Sequence, residues 1–160
     1  MMPCFSMDLP AQLRDRYYHL LLRLIDVREV QHWVNNRVKL LPVPPAWMLQ
    51  VLQARTREAV LLVIGRELGP FVPMNYYSIL GSMLFRFKAG QIDLVGLVDR
   101  LETMIDYDPE DNVLILNLHL EICYIRDGLL DGVCEPREVR EAVIAAFERS
   151  EEAILAGDQQ

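Results

Sequence analysis

The feature that most constrains the fold is a set of segments with apolar residues at helical spacing, several of them preceded by a residue that can cap a helix. Asp26 is followed three residues later by Glu29, the arrangement of a capping box. Asn75 and Asp93 are candidate N-caps of two later segments, and Pro136 takes a first-turn position in the last segment. We therefore predict an all-α fold, an irregular bundle of about six or seven amphipathic helices.

For two of these segments, the sequence predicts the positions of individual residues in more detail. The first helix should begin at Asp8, and its apolar stripe leaves Asp15 and His19 on the opposite, polar face. The third segment, residues 46–68, has a continuous apolar stripe with a candidate break near Thr56.

Residues 113–127 fit two kinds of secondary structure. From 116 to 123, apolar and polar residues alternate, which is typical of a strand. From 114 to 129, another set of apolar residues recurs at helical spacing. The length of the segment and its helical neighbours favour a helix, and the strand stays open as the alternative.

The length and the apolar runs place the chain among single-domain proteins without membrane segments. A chain of 160 residues fits one domain, here residues 1–160, with residues 1–7 as a disordered N-terminal tail. The longest apolar runs are far shorter than the roughly 18 residues that cross a bilayer, and the N-terminus lacks the basic start of a secretory signal. We predict a cytoplasmic protein whose cysteines (Cys4, Cys123 and Cys134) are reduced thiols.

The sequence contains no pattern that indicates catalysis or a cofactor. The three histidines are far apart and lack metal-ligand spacing, and we expect Cys123 and Cys134 to lack a neighbouring base or an activating charge. Glu121 lies inside an apolar stretch, where a carboxyl group could act in acid–base chemistry, but a place on the polar edge of a helix explains it better. We predict no enzyme activity, no metal site and no cofactor.

Charge is distributed unevenly along the chain. Residues 1–90 carry 11 Lys+Arg against 6 Asp+Glu, a net of +5, whereas residues 91–160 carry 5 against 17, a net of −12. The overall net charge of −7 disfavours nucleic acid and anionic membranes as partners, because both are polyanions. A basic protein partner is compatible with this negative net charge.

The acidic residues cluster between residues 106 and 141. Most clusters of this kind are simply a solvated surface, and that interpretation stays open. The more specific hypothesis is a docking surface, in which carboxylates steer a basic partner and Tyr107 anchors it. The predicted partner-binding residues are Asp106, Tyr107, Asp108, Glu110, Asp111, Asp127, Asp131, Glu135 and Glu138.

Three stretches of the chain resemble a known class of proteins. They are LLRLIDVREVQHWV at residues 21–34, GQIDLVGLVDRL at residues 90–101, and IRDGLLDG at residues 125–132. In their pattern of caps and amphipathic helices they resemble the small all-helical immunity proteins of bacterial contact-dependent growth-inhibition and related polymorphic toxin systems. The resemblance implies stoichiometric binding to a cognate toxin domain. Many such toxins are nucleases with basic clefts, which would suit an acidic inhibitor.

We therefore expect an immunity protein that neutralises a toxin domain through its acidic surface, as a monomer or weak homodimer. The alternative is a helical adaptor or secretion chaperone, which would bind its partner through an apolar groove and dimerise obligately.

Overall fold

A computed structural model describes residues 9–70, 73–108 and 110–158 of the chain. These residues form eight α-helices and no strand, so the all-α class is confirmed and the predicted count of six or seven is too low. The helices are α1 (Leu9–Leu21), α2 (Val27–Val38), α3 (Ala46–Gln53), α4 (Arg57–Leu68), α5 (Tyr76–Lys88), α6 (Leu94–Tyr107), α7 (Val113–Leu130) and α8 (Pro136–Asp158). The predicted tail at residues 1–7, the start at Asp8 and Cys4 lie outside the described residues.

The additional helix results from a break at Thr56. Helix α3 ends at Gln53, and α4 begins at Arg57. The Thr56 side-chain oxygen accepts a hydrogen bond from the Ala59 backbone N–H at 3.1 Å, which satisfies one of the free donors at the start of α4. The candidate break in segment 46–68 is confirmed.

The other helix starts follow the predicted capping chemistry. The Asp26 carboxylate accepts from the Glu29 N–H at 2.8 Å, and the Glu29 carboxylate accepts from the Asp26 N–H at 2.7 Å, which completes the capping box. Asn75 caps α5 through the Ser78 N–H, and Asp93 caps α6 in the same manner. Because each cap spans only three residues, the local sequence is sufficient to specify it.

The chain folds as two compact units, with the boundary between Met74 and Asn75. In the first unit, α4 packs on α1 and α3, and α2 packs on α3. Its central core consists of Leu13, Leu20, Val30, Val34, Trp47, Met48, Val51, Val60 and Ile64. That residues 1–160 form a single domain remains a prediction.

The second unit contains α5 to α8. Helix α8 packs on α5 and α7, and α7 also packs on α6. The largest fully buried side chains of this unit are Phe147, Ile79, Leu80, Met83, Leu97, Leu101 and Met104. Since α7 lies against both α6 and α8, it has a central place in the packing of this unit.

His19 does not lie on a solvent-facing side of α1, and that prediction is wrong. His19 is buried, and so are its sequence neighbours Tyr18 and Leu20. The ring Nδ1 lies 2.7 Å from the backbone oxygen of Asp15 and 3.4 Å from the Asp15 carboxylate. The buried face at the end of α1 is wider than a single stripe, and the bond to Asp15 satisfies the imidazole within it.

The ambiguous segment is helical. Helix α7 covers 18 residues and is capped by Asn112, whose side-chain oxygen accepts from the Leu114 N–H at 2.9 Å. Ile115, Leu118 and Ile122 form its buried face at helical spacing. Within the described residues, no helix is both long and apolar enough to span a membrane.

Removal of the Asp26 cap should destabilise the first unit. We expect Asp26→Ala to lower the free energy of unfolding by about 0.5–2 kcal/mol, because the Glu29 N–H loses its acceptor. Chemical denaturation measures this change. Asp26→Asn is the matched control, since asparagine also caps helices well and should preserve most of the stability. Equal losses in both variants would contradict a capping role.

Candidate functional site

The predicted acidic surface is divided into two groups by helix α7. We call Asp106, Glu110 and Asp111 the loop acids, because they lie at or between the end of α6 and the start of α7. We call Asp127, Asp131, Glu135 and Glu138 the corner acids, because they lie where α7 ends and α8 begins. Helix α7 has 18 residues and is therefore about 27 Å long. The predicted residues form two sites at opposite ends of one helix instead of one continuous surface.

Asp108 is the one predicted partner-binding residue that the structure buries. Only 8% of it is exposed, and its carboxylate accepts hydrogen bonds from the Tyr76 hydroxyl at 2.6 Å and from the backbone N–H groups of Glu110 and Asn112 at 2.9 Å each. Both oxygens are thus used to hold the loop between α6 and α7. Asp108 therefore has a structural role, and we exclude it from the binding surface.

The contact between Tyr76 and Asp108 links the start of α5 to this loop. Burial raises the pKa of the Tyr76 phenol well above its ordinary range, and the hydrogen bond to Asp108 with the negative charge of that carboxylate raises it further. The neutral phenol is the hydrogen-bond donor that the buried carboxylate requires. The shape of the loop therefore depends on a residue far from it in sequence.

The loop acids are all exposed to solvent. In the described part of the chain, none of Asp106, Glu110 and Asp111 has a cationic partner within 4 Å. Asp111 has a positive φ of 49°, a left-handed conformation that aspartate and asparagine tolerate better than most residues. Tyr107 lies beside them with 55% of its surface exposed. This combination of an exposed ring and uncompensated carboxylates is what the docking hypothesis requires.

The corner acids are exposed as well, but two of them have partners within the chain. The Asp127 carboxylate lies 3.3 Å from the guanidinium of Arg126. The Glu138 carboxylate accepts from the Glu135 N–H at 3.1 Å and so supports the start of α8. Asp127, Asp131 and Glu138 line a groove of about 360 Å³ between α7 and α8. This groove also contains apolar groups from Tyr124, Ile125, Val133, Cys134, Val139 and Ala142.

Helix α7 carries a second apolar face that the sequence reasoning did not identify. Val113, Leu116, Leu120 and Tyr124 are all exposed, with Tyr124 at 82% and Leu120 at 57%. At 100° per residue they fall within an arc of about 80° on the side of α7 opposite its buried face. We call these four residues the α7 stripe. The alternation of residues 116–123 contained this signal, because a helix that is apolar on two opposite sides resembles a strand in sequence.

A cysteine does lie beside a base, contrary to the sequence prediction. The Cys123 sulfur is 3.5 Å from Nε2 of His119, which precedes it by one helical turn. The same Nε2 is 3.4 Å from the Glu102 carboxylate. In a catalytic relay the two ring nitrogens contact different groups, one the nucleophile and the other the acid. Here a single nitrogen faces both, so the arrangement differs from a cysteine–histidine–acid triad.

The other candidates for chemistry have simple structural roles. Glu121 is exposed and forms an ion pair with Arg149 of α8. Among the described residues, no group of three or more histidine, cysteine and acidic side chains is placed to hold a metal ion. The features of the second unit that bear on the docking hypothesis are the loop acids with Tyr107, the corner acids and the α7 stripe.

Loss of the Tyr76 hydroxyl should destabilise the second unit. We expect Tyr76→Phe to lower the free energy of unfolding by about 1–3 kcal/mol, because the buried Asp108 carboxylate loses a hydrogen-bond donor. Denaturant unfolding of both proteins at neutral pH gives this difference. Tyr77→Phe is the matched control, because Tyr77 is an exposed neighbour on the same helix.

The same pair of proteins should differ in their response to pH. A phenol whose pKa is higher in the folded state stabilises the fold fully below its ordinary pKa of about 10, and this contribution is lost as the pH rises further. The stability difference between wild type and Tyr76→Phe should therefore be constant from neutral pH to about pH 10 and shrink above it. A difference that stays constant to pH 11 would contradict the raised pKa.

Comparisons with known proteins give no matching family model, no similar curated protein and no similar solved structure.

Proposed function

We propose that this protein is an immunity protein that binds a cognate bacterial toxin domain one to one in the cytoplasm and neutralises it. Inhibition would result from binding alone, without catalysis. The observation that carries the proposal is the exposed, uncompensated group of loop acids beside Tyr107. The resemblance of the sequence to immunity proteins supplies the toxin as the partner.

The charge of the second unit supports a basic partner. Residues 75–160 carry 17 Asp+Glu against 7 Lys+Arg, a net of −10, whereas residues 1–74 carry 6 against 9, a net of +3. An excess of one charge speeds encounter with a partner of opposite charge and repels polyanions. A nuclease toxin with a basic substrate cleft fits this requirement, because an acidic protein can occupy a site that attracts nucleic acid.

The second candidate function is a helical adaptor or secretion chaperone. The α7 stripe is the observation that favours it, since such proteins hold their partners through apolar surfaces. The two functions differ in assembly, because the adaptor would be an obligate dimer. Analytical ultracentrifugation of the free protein separates them.

Neutralisation of the loop acids tests the proposal. We expect Asp106→Asn, Glu110→Gln and Asp111→Asn together to lower the association rate for the toxin domain of the neighbouring reading frame by about tenfold at low salt. Asparagine at 111 preserves the left-handed backbone, and Asp108 stays unchanged because its loss would unfold the loop. Surface plasmon resonance at several salt concentrations gives the rates.

The matched control removes the same charge elsewhere. The control variant carries Glu67→Gln, Asp99→Asn and Glu152→Gln, which neutralise three exposed carboxylates outside both acidic groups. This variant should retain most of the association rate. If the two triple variants bind equally fast, or if the loop variant binds as wild type does, the loop acids are only a solvated surface.

Substitution of Tyr107 should change the dissociation rate and leave the association rate unchanged. We expect Tyr107→Ala to raise the dissociation rate by an amount worth roughly 2 kcal/mol, because an exposed aromatic ring at the centre of an interface is often a hot spot. The same kinetic assay measures it. Tyr77→Ala, also an exposed tyrosine of the second unit, is the control. An unchanged dissociation rate for Tyr107→Ala would place the anchor elsewhere.

A further inference from the structure

The α7 stripe is an apolar surface that the other helices of its own unit leave exposed. Val113, Leu116, Leu120 and Tyr124 follow one another at intervals of three, four and four residues, the spacing at which one helix presents a seam to another helix. Ile115, Leu118 and Ile122 on the opposite side already complete the core contact of α7. The stripe is therefore additional to what the fold requires.

Both ends of the stripe are negatively charged. Glu110 and Asp111 precede the α7 cap Asn112 and so lie just before Val113, and Asp127 and Asp131 continue the line of the stripe beyond Tyr124 at helical spacing. The order along the face is thus acidic, then apolar for about 16 Å, then acidic again. A partner that matches it must be apolar in the middle and cationic at both ends.

The charges argue against a second copy of this chain as the partner. In an antiparallel pair of α7 helices, the loop acids of one copy would face the corner acids of the other. In a parallel pair, the loop acids would face the loop acids of the other copy, and the corner acids would face its corner acids. Carboxylates would oppose carboxylates in either orientation, and like charges across an interface are strongly unfavourable. Four exposed side chains also offer less area than a stable dimer interface usually buries.

The groove at the α7–α8 corner defines one contact in more detail. Its apolar groups include Tyr124 and Val133, and Asp127, Asp131 and Glu138 lie in the same lining. A lysine or arginine side chain fits this combination, because its aliphatic stem packs on apolar surface while its charged head contacts carboxylates. Arg126 already pairs with Asp127, but a pair between exposed neighbours is weak and a partner can replace it.

We propose that the α7 stripe is the docking site for a basic amphipathic helix of the partner protein, with one long cationic side chain in the groove at the α7–α8 corner. The inference rests on the proposed function only in that it names the toxin domain as the natural source of this helix. It makes α7, and not the loop alone, the centre of the interface.

A synthetic peptide tests this without the toxin. The probe is an amphipathic helical peptide of about 18 residues, the length of α7, with a leucine seam and arginines at both ends. The control peptide has glutamates in place of the arginines. We expect the cationic peptide to bind the full chain at least about tenfold more tightly than the acidic one, and to shift the amide resonances of α7. Equal affinities, or shifts confined to other helices, would overturn the proposal.

Variants of the protein distinguish docking on the α7 stripe from nonspecific hydrophobic binding. Leu120→Gln should weaken binding of the cationic peptide by about tenfold, because it places an amide in the middle of the seam. Leu62→Gln is the matched control, since Leu62 is a leucine of similar exposure on α4. Circular dichroism should show both variants folded. Equal weakening by both variants would overturn the proposal, as would wild-type dimerisation that Leu120→Gln abolishes.

The toxin experiment distinguishes this inference from the proposed function. If the peptide binds α7 as described and the neighbouring toxin domain does not bind, the docking site stands and the immunity function fails. If the toxin domain binds wild type and Leu120→Gln equally well, the immunity function stands and the α7 inference fails.

Discussion

Helix α7 has more apolar surface than its own unit covers, and the proposed docking site follows from that imbalance. One face, with Ile115, Leu118 and Ile122, packs against the rest of the second unit. The opposite face is also apolar and lies in solvent. Surface helices usually have a polar outer face, because apolar groups in water lose the free energy that burial would give. Helix α7 departs from this rule over three turns, and the proposed docking site would account for this departure.

The local parts of the fold could be predicted from the sequence, and the parts that depend on distant residues could not. The caps at Asp26, Asn75 and Asp93 and the break at Thr56 each involve residues within one helical turn. Asp108 is different, because one of its three hydrogen-bond donors is the hydroxyl of Tyr76, 32 residues earlier in the chain. An aspartate inside an acidic stretch looks like surface until the residue that buries it is known. The burial of His19 escaped prediction for the same reason, since the width of the buried face of α1 depends on its neighbours.

The division of the acidic surface into two groups could not be predicted from the sequence either. Counting charges correctly identified an unusual excess after residue 90, but a count contains no positions. Helix α7, about 27 Å long, divides the cluster into two groups that lie toward its opposite ends. The signal for the α7 stripe was also present, as the alternation that suggested a strand. It could be interpreted only after the helix was known.

The position of the charges relative to the stripe has an energetic consequence. Carboxylates beneath the centre of an interface would have to lose their water on binding, and an unpaired buried charge costs several kcal/mol. At the ends of the stripe they stay near solvent, where they can still attract a cation and repel another carboxylate. In the proposed docking mode, the apolar middle would slow dissociation, while the acidic ends would select a cationic partner. The same arrangement lets an apolar face stay exposed in the free protein, because the charges that attract a basic partner also oppose the pairing of two copies.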